Sequence, residues 1–195
     1  MVSSVATFMG SPVVESSAMS AQKHVLQQAG TVEENQLRLD TEKSEQIIDA
    51  LNTDLAATYV LYHQLKKHHW NVEGAEFRDL HLFLDEAAEH AEEFADELAE
   101  RAQALGGVPH ASMATLESAS PVEPEDEDVY NIRTSLSNDL QMYGDIIETL
   151  REHIELVTNL GDHATAEILR ENLVQVEEDA HHVEHYLEHD SLKDW

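Results

Sequence analysis

The sequence predicts an all-α protein: a bundle of four long helices whose second and third members are joined by one long crossover. Three observations carry this reading. Apolar residues recur three and four apart over long stretches, as the buried face of a helix requires. Glycine and proline are scarce, at 7 and 4 of 195 residues, and most of them cluster at a few points. Three of the prolines fall between residues 108 and 126, which separates two helical pairs.

The first helix starts near Asp40 or Thr41, either of which can cap it, with Glu42 and Glu45 in its first turn. Its apolar stripe reads Ile48, Leu51, Leu55, Tyr59, Tyr62, Leu65, and the next position in that rhythm is His69. A break follows at residues 71–74. The second helix covers residues 77–105 and stops at Gly106-Gly107, with Pro109 beyond. Residues 112–118 read as a short helix within the connection. The third helix covers residues 127–159, with the stripe Val129, Ile132, Leu136, Leu140, Tyr143, Ile147, Leu150, Ile154, Val157, and Gly161 ends it. Asp162 caps the fourth, which carries Leu169, Leu173, Val176, Ala180, Val183 and Leu187.

Each long helix spans about 40–45 Å. The short connections make the first and second, and the third and fourth, antiparallel neighbours. The linker between the pairs extends to some 60 Å and can traverse the whole bundle. Two hairpins joined by one such crossover form the ferritin-like pattern. Residues 1–38 read as a mobile N-terminal tail, 39–190 as the bundle, and 191–195 as a short C-terminal tail.

Charge is the outlying feature of composition. Asp and Glu total 40 against 11 Lys and Arg, a formal net charge of −29. Such a domain repels itself in dilute buffer. At about 1 M salt the Debye length falls to roughly 3 Å and the repulsion is tolerable. We read the composition as halophilic, suited to a salt-rich cytoplasm. Lysine occurs only at Lys23, Lys43, Lys66, Lys67 and Lys193, so the clustered cations that nucleic-acid binding needs are missing. Cysteine is absent, which excludes disulfides and thiolate metal sites. Residues 1–10 lack the features of a secretory signal, and no apolar run is long enough to span a bilayer. These features predict a soluble, cytoplasmic protein whose partners are cations.

The second helix has two chemically distinct faces. At about 100° per residue from His81, Asp85 falls near 40°, Glu89 near 80°, Glu92 near 20°, Asp96 near 60° and Glu100 near 100°. Leu80, Leu84, Ala87, Ala88, Ala91, Ala95, Leu98 and Ala102 fill the opposite arc. One face packs, and the other offers oxygen and imidazole ligands. A charged surface helix in an acidic protein shows the same pattern, so His69 matters. A histidine continuing an apolar stripe is commonly a satisfied core or interface residue. Near a second histidine and a carboxylate face, it is also a candidate iron ligand.

The run His68-His69-Trp70-Asn71-Val72-Glu73-Gly74, then Phe77-Arg78-Asp79-Leu80-His81 and Asp85-Glu86, resembles the signature of the Dps (DNA-protection-during-starvation) proteins. Asp96-Glu97-Leu98-Ala99-Glu100-Arg101 and Leu105-Gly106-Gly107 continue the likeness, which covers roughly residues 40–190 and is densest over 62–109. It points to a halophilic-archaeal kind of member. The resemblance implies a hollow homo-oligomer, a dodecamer, with ferroxidase sites at two-fold interfaces. Carried over by motif, the iron ligands are His69, His81 and Asp85 of one subunit with Asp96 and Glu100 of its partner. Helix geometry agrees with a shared site, because His81 and Asp96 lie about 22 Å apart along one helix.

The resemblance further implies a ferroxidase that oxidises Fe2+, typically with hydrogen peroxide, and stores ferric mineral, so protecting DNA from oxidative damage. Glu89, Glu92 and Glu93 are candidates for mineral nucleation or an ordinary solvated face. Trp70 is a radical trap or a packing aromatic. On the fourth helix, His181, His185 and His189 repeat every four residues, and Glu178 to His181 forms an E-x-x-H. The matching ligands of an intra-bundle di-iron site are missing elsewhere, which leaves surface metal binding, iron guidance or plain exposure. Asp162 and Glu167 line a cation pore or cap a helix. Two other functions stay open: a DNA-binding nucleoid protein, against which the lysine-poor tail argues, and a passive metal-buffering bundle.

Overall fold

A computed structural model describes residues 24–188. Among them are five helices and no strand: α1 (Thr41–Asn71), α2 (Phe77–Ala104), the short α3 (Met113–Ala119), α4 (Ile132–Leu160) and α5 (His163–Leu187).

Side-chain pairs fix how the helices run. Lys66 meets Asp85 and Ile48 lies against Gly107, so α1 and α2 are antiparallel. Lys43 reaches the Leu160 carbonyl, Asp54 meets His153 and Gln64 meets Asp139, so α4 also runs against α1. Helices α2 and α4 are therefore parallel. Only a connection travelling the length of the bundle permits that, and residues 105–131 make it, with α3 packed on α1.

The core follows the predicted periodicity closely on α2, where all eight apolar-arc residues are buried. On α1, Ile48, Leu51, Leu55 and Leu65 are buried, while Tyr59 and Tyr62 pack at its margin. Gly161 adopts the left-handed conformation after α4, at φ 88°, and Asp162 accepts from the Thr165 N–H to cap α5. Asp40 precedes α1 as expected, but its backbone carbonyl, not its side chain, receives the first helical N–H groups.

Of the four buried aspartates among the described residues, three meet a histidine. Asp54 pairs with His153 at 2.8 Å, Asp139 with His68 at 2.8 Å, and Asp179 with His90 at 3.2 Å. An unpartnered buried carboxylate would be costly. Burial still pushes the Asp54 carboxyl up, although His153 opposes this. Burial alone would lower His68, but Asp139 and then Glu125 hold the imidazole above its ordinary range.

Two expectations are revised. Helix α4 begins at Ile132, later than residue 127, with Asn131 capping through the Thr134 N–H. The acidic residues before it are drawn away: Glu125 binds Lys67, His68 and Asn138, and Asp126 accepts from the Tyr130 hydroxyl. Val129, placed on the predicted stripe, is consequently exposed. Secondly, part of the stretch read as a tail is tied down. The Gln27 amide and the Glu33 N–H both donate to the Gly106 carbonyl, and the Asn35 amide donates to the Leu105 carbonyl. Gly106, at φ 93°, allows this approach, since a Cβ there would collide with the Glu33 carbonyl oxygen. Residues 1–23 and 189–195, including the rest of both proposed tails, lie outside the described residues.

Candidate metal centre

His69 belongs to the last turn of α1 and His81 to the second turn of α2, and the tight connection between these helices lays one ring on the other. The centroids are 3.8 Å apart and the planes differ by 19°. Each ring bonds to the other residue's backbone: His69 Nδ1 lies 2.8 Å from the His81 carbonyl oxygen, and His81 Nδ1 lies 2.9 Å from that of His69. A carbonyl oxygen can only accept, so both Nδ1 atoms carry the proton. Both Nε2 lone pairs are then free to ligate, in the tautomer that metal-binding histidines need. Phe77 stacks on the other side of His81, with ring centroids 5.1 Å apart.

Asp85, one turn beyond His81, completes the cluster. Its Oδ1 lies 3.8 Å from His69 Nε2 and 2.6 Å from Lys66 Nζ. The hydrogen bond from the Lys66 ammonium holds the Asp85 carboxyl below its usual range. Lys66 was not among the residues singled out by sequence. Its signal was its place one turn before His69, on the same face of α1.

The structure thus brings His69, His81 and Asp85 together and leaves Asp96 and Glu100 apart. The latter two are exposed on α2, about 16 Å and 22 Å further along the axis from Asp85. Among the described residues, no group of three or more His, Asp or Glu side chains in one chain is arranged to hold a metal by itself. The chain therefore presents two imidazoles and a carboxylate together on an open face. Around it lie exposed apolar side chains, with Trp70 at 69 % exposure, Leu82 at 55 % and Phe77 at 46 %. Glu89, Glu92 and Glu93 are exposed along the same helix.

The other candidate positions divide. Asp162 is engaged by Arg101 through both carboxylate oxygens and by the Thr165 N–H, which is a capping role. Glu167 pairs with Arg170 at 3.6 Å. His181 and His185 are exposed near the end of α5, outside the bundle interior, and His189 lies beyond the described residues. No described helix is long and apolar enough to cross a membrane.

Residues 48–192 match the model of the ferritin-like domain. The chain is 69 % identical over 175 residues to a DNA protection during starvation protein of Halobacterium salinarum, covering 89 % of this chain and 96 % of that one. This chain belongs to the Dps group of ferritin-like proteins. The crystal structure of an archaeal Dps homologue from Halobacterium salinarum superposes with a TM-score of 0.85 at 69 % identity, over 88 % of this chain and 96 % of that one. A Vibrio cholerae Dps protein, described as a ferritin-like diiron-carboxylate protein, matches with a TM-score of 0.76 at 27 % identity over 81 % and 99 % of the two chains. A nutrient stress-induced DNA-binding protein of Synechococcus is 39 % identical over 87 % of this chain and 96 % of its own length.

Proposed function

We propose that this Dps protein is a ferroxidase and iron store whose reaction sites are shared by pairs of subunits. The observation that carries the reading is the reciprocal bonding of His69 and His81, which fixes both rings with Nε2 free beside Asp85. A two-fold axis running α2 against its copy brings the partner subunit's Asp96 and Glu100 to this half-site. The exposed Trp70, Phe77 and Leu82 supply apolar area for that contact.

Ferrous iron enters as substrate, attracted by the net charge of −29. The imidazoles bind it as borderline donors, and the carboxylates of Asp85, Asp96 and Glu100 favour the more highly charged ferric product. Two ferrous ions each give one electron to a molecule of hydrogen peroxide, whose O–O bond breaks. With two waters, the products are two ferric oxyhydroxide units and four protons. Ferric mineral then grows in the cavity of a dodecamer, with Glu89, Glu92 and Glu93 as nucleating carboxylates. Trp70, beside His69, is placed to intercept stray oxidising radicals. Iron and peroxide are removed together in the cytoplasm, and DNA is protected without being bound. The acidic surface and the scarcity of lysine support that last point, although the Synechococcus relative carries a DNA-binding name.

The test is to load the assembled protein anaerobically with Fe2+ and mix it with peroxide. The parent gives a fast rise in ferric absorbance. His69→Ala and Asp96→Ala slow that rise, while Glu89→Gln mainly alters later mineral growth. Parent-like oxidation in all three variants refutes the site, and no fast phase in the parent favours passive metal buffering. A gel shift that retains DNA at moderate salt refutes protection without binding.

A further inference from the structure

The last turns of α5 carry a histidine pair that the iron site does not use. His181 and His185 stand one turn apart, both exposed, and their Nε2 atoms face each other at 3.0 Å. Their ring planes are inclined at 72°, with centroids 4.3 Å apart. The Glu184 carboxylate lies 3.5 Å from His181 Nδ1, on the side of the ring away from His185. A carboxylate there favours the tautomer protonated at Nδ1, which leaves the His181 Nε2 lone pair free. An exposed hydrogen bond between two neutral rings is worth no more than about 1 kcal/mol, so the convergence is easily given over to a cation.

The separation of the two nitrogens is close to the bite of a two-imidazole chelate. Metal–imidazole bonds of about 2.0–2.1 Å to atoms 3.0 Å apart subtend roughly 95° at the metal. That is the angle between neighbouring ligands in a square-planar or tetragonal site. Tetrahedral zinc would need the nitrogens about 3.3–3.4 Å apart. Imidazole donors with tetragonal geometry suit Cu2+ and then Ni2+, with Cu2+ the tighter. Glu178 lies three residues before His181 on α5, Glu188 three after His185 at the helix C-cap, and Glu86 of α2 borders the groove next to His185. These carboxylates add to the attraction of a dication at the exposed positions.

We propose that His181 and His185 form a surface chelate for a tetragonal divalent ion, Cu2+ foremost, with Glu184 as a positioning residue and water completing the coordination. The site is separate from the iron-oxidation half-site and does not depend on how that half-site works.

The experiment titrates the iron-free, full-length assembled protein with Cu2+ against a competing chelator and records the electron paramagnetic resonance spectrum. In a His69→Ala background, which disables the iron half-site, the expected result is one tetragonal ion per subunit with two nitrogen donors that is lost on adding His181→Gln or His185→Gln. Glu184→Gln should weaken it about tenfold without changing the donor count. Circular dichroism identical to the parent would show that the variants are folded, as their exposure leads us to expect. A copper signal unchanged when His181→Gln and His185→Gln are both added to the His69→Ala background overturns the proposal, as does the absence of any copper site in His69→Ala alone. Zn2+ binding to the pair more tightly than Cu2+ overturns the tetragonal assignment.

Discussion

Lys66 Nζ donates to Asp85 Oδ1 at 2.6 Å, so the carboxylate proposed as an iron ligand already has a cation of its own. Lys66 stands on α1 and Asp85 on α2, and their pairing closes the mouth of the hairpin beside the two stacked histidines. A metal ion entering the half-site competes with this ammonium for the same oxygen. In its absence, Lys66 keeps Asp85 aimed at His69.

Replacing the lysine removes both effects. Lys66→Met should tighten Zn2+ binding at the iron site, on the order of tenfold for the loss of one nearby positive charge. Calorimetric titration of Zn2+ into parent and variant checks this, with His185→Gln present in both to isolate the site. Unchanged or weaker binding in the variant would show that Lys66 does not compete with the metal.

The acid side of the stability profile should depend on Asp162. Burial alone would raise its carboxyl, but the Thr165 hydroxyl and N–H and then Arg101 outweigh burial and hold it below the ordinary range. A carboxyl lowered in the folded state contributes stability that is fully present above its unfolded value, about 3.9. That contribution is lost as pH falls through the lower folded value. Asp162→Asn should therefore melt lower than the parent at pH 6, with the gap narrowing as the pH drops below about 4. The loss at neutral pH should be about 3–5 kcal/mol, because Arg101 is left half-buried without its partner. Melting curves taken across this range decide it, and a gap independent of pH would contradict the assignment.

Salt should act on the whole particle. With 40 acidic residues against 11 basic ones, self-repulsion is weakly screened at about 0.01 M salt, where the Debye length is some 30 Å. The melting temperature should rise steeply towards molar salt, and low salt should loosen the assembly. Equal melting temperatures at both extremes would remove the halophilic reading.

Much of this was legible in the sequence, and the reason is helical periodicity. The apolar arc of α2 named its buried residues from Leu80 to Ala102, and Gly161 with Asp162 marked the turn into α5. Periodicity identifies a face but not what that face meets. The Lys66–Asp85 pair, the aspartate–histidine pairs inside the bundle and the docking of Gln27 and Glu33 on Gly106 all join segments distant in sequence. The start of α4 was misplaced for a related reason. Glu125 and Asp126 have good first-turn chemistry, yet Lys67 and His68 on α1 claim Glu125. For the site, motif likeness supplied five residues, and one chain juxtaposes three of them.

Joining the two halves is best tested by mixing defective subunits. His69→Ala and Asp96→Ala each spoil every site of their own assembly. In a dimer formed from one of each, a shared site leaves one of the two sites with all its ligands intact. Random reassembly of equal amounts should restore about a quarter of the parent's fast ferric phase. A mixture no faster than the average of the two separate variants would show that subunits do not share these ligands.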